Sequence, residues 1–227
     1  MTKLRSQIIE KVGTAIRRIQ EGHAVVMLDD EGRENEGDVV FAAEFANAQN
    51  INFMIKEARG LVCLALAPTI VDSLELPLQK DPRKLGPNRQ TAFTVSIEAS
   101  TGITTGISAS ERAHTIRTAV SQDALPSDLV VPGHIFPLRA HPEGVLGRDG
   151  HTEGSVDLMK MAGLRPAAVI CEVLNDDGTM ARYDDLVRFC ERHELFLITV
   201  AEILYVRREL GVLTGTQKGG SFEASIL

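Results

Sequence analysis

The chain has 227 residues, 44% of them hydrophobic, which allows one large domain or two small ones and argues against a disordered protein. Its formal net charge of −7 argues against an extended basic surface for nucleic acid, although local positive charge for a phosphorylated metabolite remains compatible with it. The N-terminus is charged throughout, unlike a signal sequence, and no apolar run approaches the roughly 18 residues of a membrane span.

The apolar periodicity predicts the secondary structure in chain order. Ile8, Ile9, Val12, Ile16 and Ile19 share one face of a predicted helix that Gly22 ends. The segments predicted as strands are 24–28, 38–43, 60–66, 91–99, 167–174 and 195–200, with an Asp177-Gly178 hairpin turn after the fifth. The segments predicted as further helices are 47–60, 107–122, 151–163, 184–194 and 200–210, and residues 76–90 are predicted as a loop that contains three prolines.

The order of these elements predicts the fold class. Strands alternate with helices except at two β-turn-β passages, which favours a mixed sheet over a doubly wound parallel one. We therefore predict an α+β (mixed α/β) fold of three layers, in which helices cover a twisted mixed sheet. A single domain is expected over residues 1–210, followed by a flexible C-terminal tail at 211–227.

The stretch DDEGRENEGD, residues 29–38, joins the first two predicted strands and contains six carboxylates and one arginine. A solvated turn is one interpretation, but six like charges repel one another at this spacing. Glu34, Glu36 and Asp38 recur with a period of two, so an extended backbone would aim them to one side. Such convergence indicates a cation site or acid–base chemistry. An EF-hand is excluded, because glycine is missing from its sixth position.

The segment RDGHTEGSVDLM, residues 148–159, leads through a glycine-containing turn into a predicted helix. Free backbone N–H groups at the helix start favour an anion, and Arg148 and Thr152 add donors suited to phosphate. His151 adds a metal ligand of the neutral imidazole type. A capped helix start with an incidental arginine explains the same residues equally well.

Single polar residues in apolar surroundings give weaker signals. His134 is predicted to lie in a Pro-Gly turn within VPGHIFPLRA, where a histidine is more often structural than catalytic. Glu172 is one carboxylate in an apolar strand, either an acid–base group or a strand end that faces water. Ser108 and Glu111 form a predicted capping box.

Motifs typical of P-loop, dinucleotide-binding, serine-hydrolase and zinc-peptidase proteins are absent from the sequence.

The cysteines give no sign of a metal site or a disulfide framework. Cys63, Cys171 and Cys190 are odd in number and have no metal-like spacing. Cys63 and Cys171 lie in apolar runs, where a thiol behaves as a small hydrophobe. We expect reduced thiols, as in a cytoplasmic protein.

Several motifs in series resemble the 3,4-dihydroxy-2-butanone-4-phosphate synthases of riboflavin biosynthesis, over roughly residues 5–205. These are DDEGRENEGD, TAFTVSIEA followed by TTGISASER, PSDLVVPGHIFPLRA, RDGHTE and CEVLNDDGTMAR. The resemblance implies conversion of D-ribulose 5-phosphate to 3,4-dihydroxy-2-butanone 4-phosphate and formate. The implied route is an enediolate, dehydration, skeletal rearrangement and loss of C4. Two Mg²⁺ ions per site, with Mn²⁺ as a substitute, and a homodimer with sites near the subunit interface are implied as well.

Carried over by motif, the resemblance implies roles for individual residues. Glu34 and His151 are expected to bind the metal pair, and Asp38, His134 and Glu172 are expected to be catalytic. Arg148, Gly150 and Thr152 are expected to hold the phosphate. The implied substrate-binding set is Arg33, Glu34, Asp38, Thr105, Arg148, Gly150, His151, Thr152 and Glu172. The remaining acids of the stretch are expected to be solvated loop, at Asp29, Asp30 and Glu31, or outer support for the metal ligands, at Glu36.

Other hypotheses remain open at this point. Another divalent-metal sugar-phosphate aldolase or isomerase would share the cation and phosphate sites without releasing formate. A non-catalytic acidic metal- or nucleotide-binding module would bind metal without turnover. Some relatives continue into a GTP cyclohydrolase II domain, and the short remainder here predicts a monofunctional protein or a piece of a longer one. Residues 80–90 have the composition of a lid over the site.

Overall fold

The computed structural model describes residues 3–79, 91–209 and 211. The hypothesised lid at 80–90 and nearly all of the predicted tail lie outside these residues. The strands are β1 (Val25–Leu28), β2 (Gly37–Ala42), β3 (Cys63–Leu66), β4 (Ile97–Ala99), β5 (Leu129–Arg139), β6 (Ala167–Glu172) and β7 (Phe196–Thr199). The helices are α1 (Lys3–Gln20), α2 (Ala48–Phe53), α3 (Pro68–Ser73), α4 (Ala109–Val120), α5 (His151–Met161), α6 (Tyr183–His193) and α7 (Val200–Glu209).

The strands of the described ranges form one mixed sheet in the order β4-β5-β3-β6-β2-β1-β7. β3 with β5 and β1 with β7 are parallel, while β1 with β2, β2 with β6, β3 with β6 and β4 with β5 are antiparallel. The predicted mixed sheet is therefore confirmed. The antiparallel β1–β2 pair places the acidic stretch at one end of the sheet, between two central strands.

Helices cover both faces of the sheet, as the predicted three-layer fold requires. Each strand sends alternate side chains to opposite faces, so two separate apolar clusters form. One cluster joins α2, α4 and α6 to the sheet through residues that include Ile51, Ile116 and Leu186. The other joins α1, α5 and α7 through residues that include Val12, Leu158 and Ile203. None of the described helices has the length and hydrophobicity needed to cross a membrane.

The first helix matches its sequence pattern closely. Ile9, Val12, Ile16 and Ile19 are buried along one face of α1, as their spacing predicts. Gly22 follows the helix with a φ of +82°, a left-handed conformation that glycine adopts without a steric penalty. The predicted capping box of α4 and the predicted hairpin turn at Asp177-Gly178 are also present.

Three predicted elements need correction. The strand predicted over 91–99 is confined to β4, because Phe93 and Thr94 contact the edge of β5 only through isolated bonds. The helix predicted over 47–60 changes after α2 into a π-helical turn, Met54–Ala58, that ends at a left-handed Arg59. The short helix α3 was not predicted, although it begins at Pro68, a residue favoured at a first helical position.

The prediction that His134 lies in a Pro-Gly turn is wrong, because that segment is part of the continuous strand β5. The Pro132-Gly133 dipeptide marks an irregularity in the pairing of β4 with β5 and not a turn. Ile97 of β4 pairs with Ile135, whereas the next residue, Glu98, pairs with Val130. The register on β5 shifts by four residues at this point, and residues 131–134 lie within the shift.

Candidate active site

Asp29 organises the acidic loop between β1 and β2. Its side chain is fully buried and accepts the backbone N–H groups of Glu34 at 3.2 Å and Glu36 at 2.8 Å. Arg33 Nη1 donates to the same carboxylate at 2.7 Å and also contacts the carboxylate of Glu34. The expectation that Asp29 is solvated is therefore wrong, because the backbone of this tight loop needs a buried acceptor.

The rest of the loop is held from the outside. Arg182 donates from Nη1 to the backbone oxygen of Glu34 at 2.7 Å and to that of Asn35. Asn35 adopts a φ of +54°, so the chain turns here and is not extended. The acidic side chains still converge as the period-two pattern predicted, but a left-handed turn produces the convergence. Asp30 and Glu31 are exposed, as expected.

His151 begins α5 and faces the acidic loop. Its Nε2 lies 3.1 Å from the backbone oxygen of Glu36, and its Nδ1 lies 3.9 Å from Glu34 Oε2. Ligand atoms of Asp29, Glu34 and His151 all fall within 4.8 Å of one another. Burial lowers the pKa of His151, which favours the neutral imidazole that a metal requires. This donor set of carboxylates and one imidazole fits a hard divalent cation.

Asp38 and Glu172 are register partners on β2 and β6 and point into the same space. Burial raises the pKa of Asp38 well above its usual value, and the nearby charge of Glu172 raises it further. Among the described residues, Oδ1 of Asp38 has no hydrogen-bond partner, and it lies 3.9 Å from His151 Nε2. The Glu172 carboxylate accepts the backbone N–H of Leu61 at 2.8 Å. Asp38 is thus a buried carboxyl group that can exchange a proton.

Two guanidinium groups meet beside the start of α5. Arg148 Nη1 lies 2.6 Å from Oε2 of Glu153, which is buried in the first turn of the helix. A Cβ placed on Gly150 would lie 2.3 Å from Arg148 Nη1 and 3.1 Å from Arg33 Nη2, so only glycine leaves room for both groups. Thr152 is buried at the second helical position. The arrangement suits an anion such as phosphate.

One cavity collects most of the predicted site. The predicted residues that line it are Arg33, Glu34, Asp38, Arg148, His151, Thr152 and Glu172. Cys63 also lines it, although nothing in its sequence context distinguishes this cysteine from an ordinary buried thiol. Burial raises the pKa of Cys63, so the group is a neutral thiol. Glu36, expected to lie outside the metal ligands, lines the cavity as well, and burial raises the pKa of its carboxyl.

His134 and Thr105 do not line this cavity. His134 is exposed on β5, and β3 separates it from Glu172 on β6, a distance of two strand spacings or about 10 Å across the sheet. Its Nδ1 lies 2.6 Å from Oε2 of Glu98, a buried carboxylate that was not predicted. The signal was present, since Glu98 is a lone acid in a β-branched strand, as Glu172 is in an apolar one.

Comparison with known sequences gives one consistent result. The profile of the family described as 3,4-dihydroxy-2-butanone 4-phosphate synthase matches residues 13–206. A protein of that name from Syntrophotalea carbinolica is 51% identical over 195 residues, which cover 86% of this chain and 89% of the relative. Another from Neisseria meningitidis serogroup B is 54% identical over 199 residues, which cover 88% of this chain but 54% of that longer protein.

Solved structures agree with the sequences. A two-domain 3,4-dihydroxy-2-butanone 4-phosphate synthase from A. baumannii is 50% identical with a TM-score of 0.83, covering 87% of this chain and 57% of that one. A 3,4-dihydroxy-2-butanone 4-phosphate synthase in complex with two magnesium ions is 38% identical with a TM-score of 0.82. That match covers 88% of this chain and 98% of the other.

Proposed function

The chain belongs to the 3,4-dihydroxy-2-butanone 4-phosphate synthase family, and we propose that the cavity between the acidic loop, α5 and β6 is its active site. The substrate is D-ribulose 5-phosphate, and the products are 3,4-dihydroxy-2-butanone 4-phosphate, a riboflavin precursor, and formate. One observation carries the assignment of the site. The proposed metal ligands Glu34 and His151 and the guanidinium groups of Arg33 and Arg148 line the same cavity.

Glu34 and His151 would hold the metal. Two protein ligands leave most coordination positions to water and substrate oxygens, an arrangement that suits Mg²⁺ better than a closed zinc site. We propose two Mg²⁺ ions per site, with Mn²⁺ able to replace them; the solved relative in complex with two magnesium ions supports the choice of metal. When bound, the ions supply positive charge that stabilises negative charge developing on substrate oxygens.

Asp38 is the proposed first proton acceptor. Burial and the neighbouring Glu172 raise the pKa of this carboxyl, so it binds a proton more tightly than an ordinary aspartate, as a general base requires. Oδ1 has no partner among the described residues that would have to be displaced before it takes a proton. Glu172 then carries later proton transfers of dehydration and C4 loss. His134 lies about 10 Å from Glu172 in the same chain, so in the proposed homodimer it would act in the cavity of the other subunit.

The phosphate anchors the substrate at the other side of the cavity. Arg148 is fixed by its ion pair with Glu153, so little freedom is lost when it binds phosphate. Thr152 and the N–H groups in the first turn of α5, which begins without a side-chain cap at Gly150, add donors. Binding energy gained there fixes the reacting carbons relative to Asp38.

The reaction is tested by NMR with ¹³C-labelled ribulose 5-phosphate, first with Mg²⁺ and then with excess EDTA. We expect formate that carries the C4 label only when Mg²⁺ is present. Epimerisation or cleavage of the sugar without formate would favour a sugar-phosphate isomerase or aldolase. Metal binding without any turnover would favour the non-catalytic binding module.

The active form is proposed to be a cytoplasmic homodimer built from residues 1–210. Four large apolar side chains are exposed on β5 or in the segments that lead to α4 and β5, at Ile107, Leu125, Val130 and Val131. The three cysteines are free and buried, which is compatible with a reducing compartment. Light scattering coupled to size-exclusion chromatography should give twice the monomer mass for the wild-type protein. Val131→Lys should reduce the measured mass to that of one monomer.

A further inference from the structure

We infer that Glu98 is a positioning residue that fixes the orientation and tautomer of His134. The inference rests on the proposed function, in which His134 takes part in proton transfer. Glu98 lies on β4 and is 5% exposed, whereas 46% of the His134 side chain is accessible. A buried carboxylate thus supports an exposed ring, which is the arrangement expected when the ring must meet something from outside.

Both oxygens of Glu98 are held. Oε2 lies 2.6 Å from Nδ1 of His134 and accepts the backbone N–H of the same residue at 3.2 Å. Oε1 accepts the hydroxyl of Thr115 at 3.0 Å, and that hydroxyl accepts the N–H of Ala99 at 3.1 Å. The carboxylate therefore cannot turn without breaking bonds to α4, to β5 and, through Thr115, to its own strand.

The chemistry of the contact defines the state of the ring. An ionised carboxylate only accepts hydrogen bonds, so Nδ1 of His134 must carry the proton at a separation of 2.6 Å. In the neutral imidazole this leaves the lone pair on Nε2, at the opposite side of the ring. Glu98 thereby presents Nε2 as a proton acceptor with a fixed direction.

The backbone around Glu98 is adapted to this contact. Gly106 has a φ of +81°, and a Cβ there would lie 2.0 Å from Glu98 Oε2. The turn that carries Thr105, the predicted sugar contact, can therefore close onto the carboxylate only with glycine at 106. The register shift between β4 and β5 brings the backbone of His134 to the same oxygen. One buried side chain thus sets the relative positions of Thr105 and His134.

The test compares Glu98→Gln, His134→Ala and the double variant by steady-state kinetics at saturating Mg²⁺. Glutamine keeps the shape of Glu98 but can donate as well as accept, so it no longer imposes the Nδ1–H tautomer. We expect His134→Ala to lower kcat about 10²- to 10⁴-fold, and Glu98→Gln to lower it at least about tenfold with little change in KM. In the His134→Ala background, Glu98→Gln should have no further effect, because the residue acts through the ring.

A spectroscopic measurement accompanies the kinetics. Two-dimensional ¹⁵N–¹H spectra of the imidazoles should show His134 as a single Nδ1–H tautomer in the wild-type protein and as a mixture in Glu98→Gln. Thr115→Val, which removes only the hydroxyl that supports Oε1, should give the same changes at smaller amplitude and serves if Glu98→Gln does not fold.

The outcomes separate the two hypotheses. If His134→Ala keeps wild-type kcat, the proposed role of His134 is wrong, and the functional role of Glu98 is lost with it. If His134→Ala is inactive but Glu98→Gln lowers kcat equally in both backgrounds, Glu98 is structural and the inference alone is wrong. An unchanged tautomer with unchanged kcat in Glu98→Gln or Thr115→Val would overturn it as well.

Discussion

Asp38 and Glu98 are both carboxylates buried near the same sheet, and they differ in how their oxygens are satisfied. Asp38 is 3% exposed, and its Oδ1 has no hydrogen-bond partner in the described part of the chain. Glu98 is 5% exposed and accepts from Thr115 and from two nitrogens of His134. Burial alone therefore does not define a role. An unsatisfied buried carboxylate is suited to gain and lose a proton, and a fully bonded one is suited to hold another group in place.

Replacing each carboxylate by its amide gives the largest and most direct test of this difference. Asp38→Asn should lower kcat about 10²- to 10⁴-fold, because the amide cannot accept the substrate proton. In EDTA it should nevertheless stabilise the fold at pH 8 by about 1–3 kcal/mol, while Glu98→Gln destabilises it by a similar amount. Urea unfolding of both variants, followed by circular dichroism, measures the two effects.

The contribution of Asp38 to folding stability changes with pH in a direction that its raised pKa defines. Because folding raises the pKa of Asp38, the folded protein binds this proton more tightly than the unfolded chain does. The contribution of Asp38 to stability is therefore fully present below about pH 4, the ordinary pKa of an aspartate, and is lost as the pH rises through the higher pKa of the folded state. The advantage of Asp38→Asn should grow from pH 5 to pH 8. A constant difference would show that folding does not raise the pKa of Asp38.

A second substitution distinguishes the role of the acidic loop in metal binding from the role of the Glu98–His134 pair. Glu34→Gln should lower activity about 100-fold or more at limiting Mg²⁺, because an amide is a weak ligand for a hard cation. Raising Mg²⁺ should recover part of the loss, whereas it should not rescue Glu98→Gln. Glu31→Gln, an exposed acid of the same loop, is the matched control and should behave as wild type. Equal activity of Glu34→Gln and Glu31→Gln across a Mg²⁺ titration would refute the metal assignment.

Glu172 is intermediate between Asp38 and Glu98 in its hydrogen bonding, since its Oε2 accepts the backbone N–H of Leu61. A Cβ on Gly60 would lie 2.4 Å from the backbone oxygen of Glu172 and 2.6 Å from its Oε2. Gly60→Ala should therefore displace Glu172 and lower kcat about 10- to 100-fold, with Mg²⁺ affinity retained. Gly13→Ala in α1, where the nearest atom would be 3.6 Å away, is the control and should leave kcat unchanged. Calorimetric titration with Mg²⁺ checks that the loop is intact.

The smallest expected effect concerns the outer support of the loop. Arg182→Lys keeps the positive charge but loses one of two hydrogen bonds to the loop carbonyls of Glu34 and Asn35. The Mg²⁺ concentration for half-maximal activity should rise about fivefold, as expected for one lost bond of about 1 kcal/mol. Arg188→Lys on α6, an exposed neighbour, should not change it. A loss of kcat without a change in Mg²⁺ dependence would show that Arg182 acts elsewhere.

Much of the fold and of the cavity could be predicted because the relevant signals are local. The 3.6-residue spacing of Ile9, Val12, Ile16 and Ile19 determines which face of α1 is buried, whatever the rest of the chain does. The period-two spacing of Glu34 and Asp38 and the place of His151 at a helix start marked these residues as candidates, and the family resemblance supplied their roles. Periodicity carries the information for α1, whereas the turn at Asn35, and not an extended backbone, brings the acids of the loop together.

Contacts between distant segments were decided only in the folded chain. Glu98 meets His134 because the β4–β5 register shifts by four residues, and Cys63 reaches the cavity because β3 lies beside β6. Asp29 is buried because the loop folds back onto its own backbone. The sequence alone therefore determined the elements and the chemical types of the site. Tertiary structure decided which carboxylate is bonded and which has an oxygen without a partner among the described residues, because hydrogen-bond partners across a sheet depend on register. The β4–β5 shift of four residues keeps each side chain on its own face, so it leaves no trace in the alternation of the sequence.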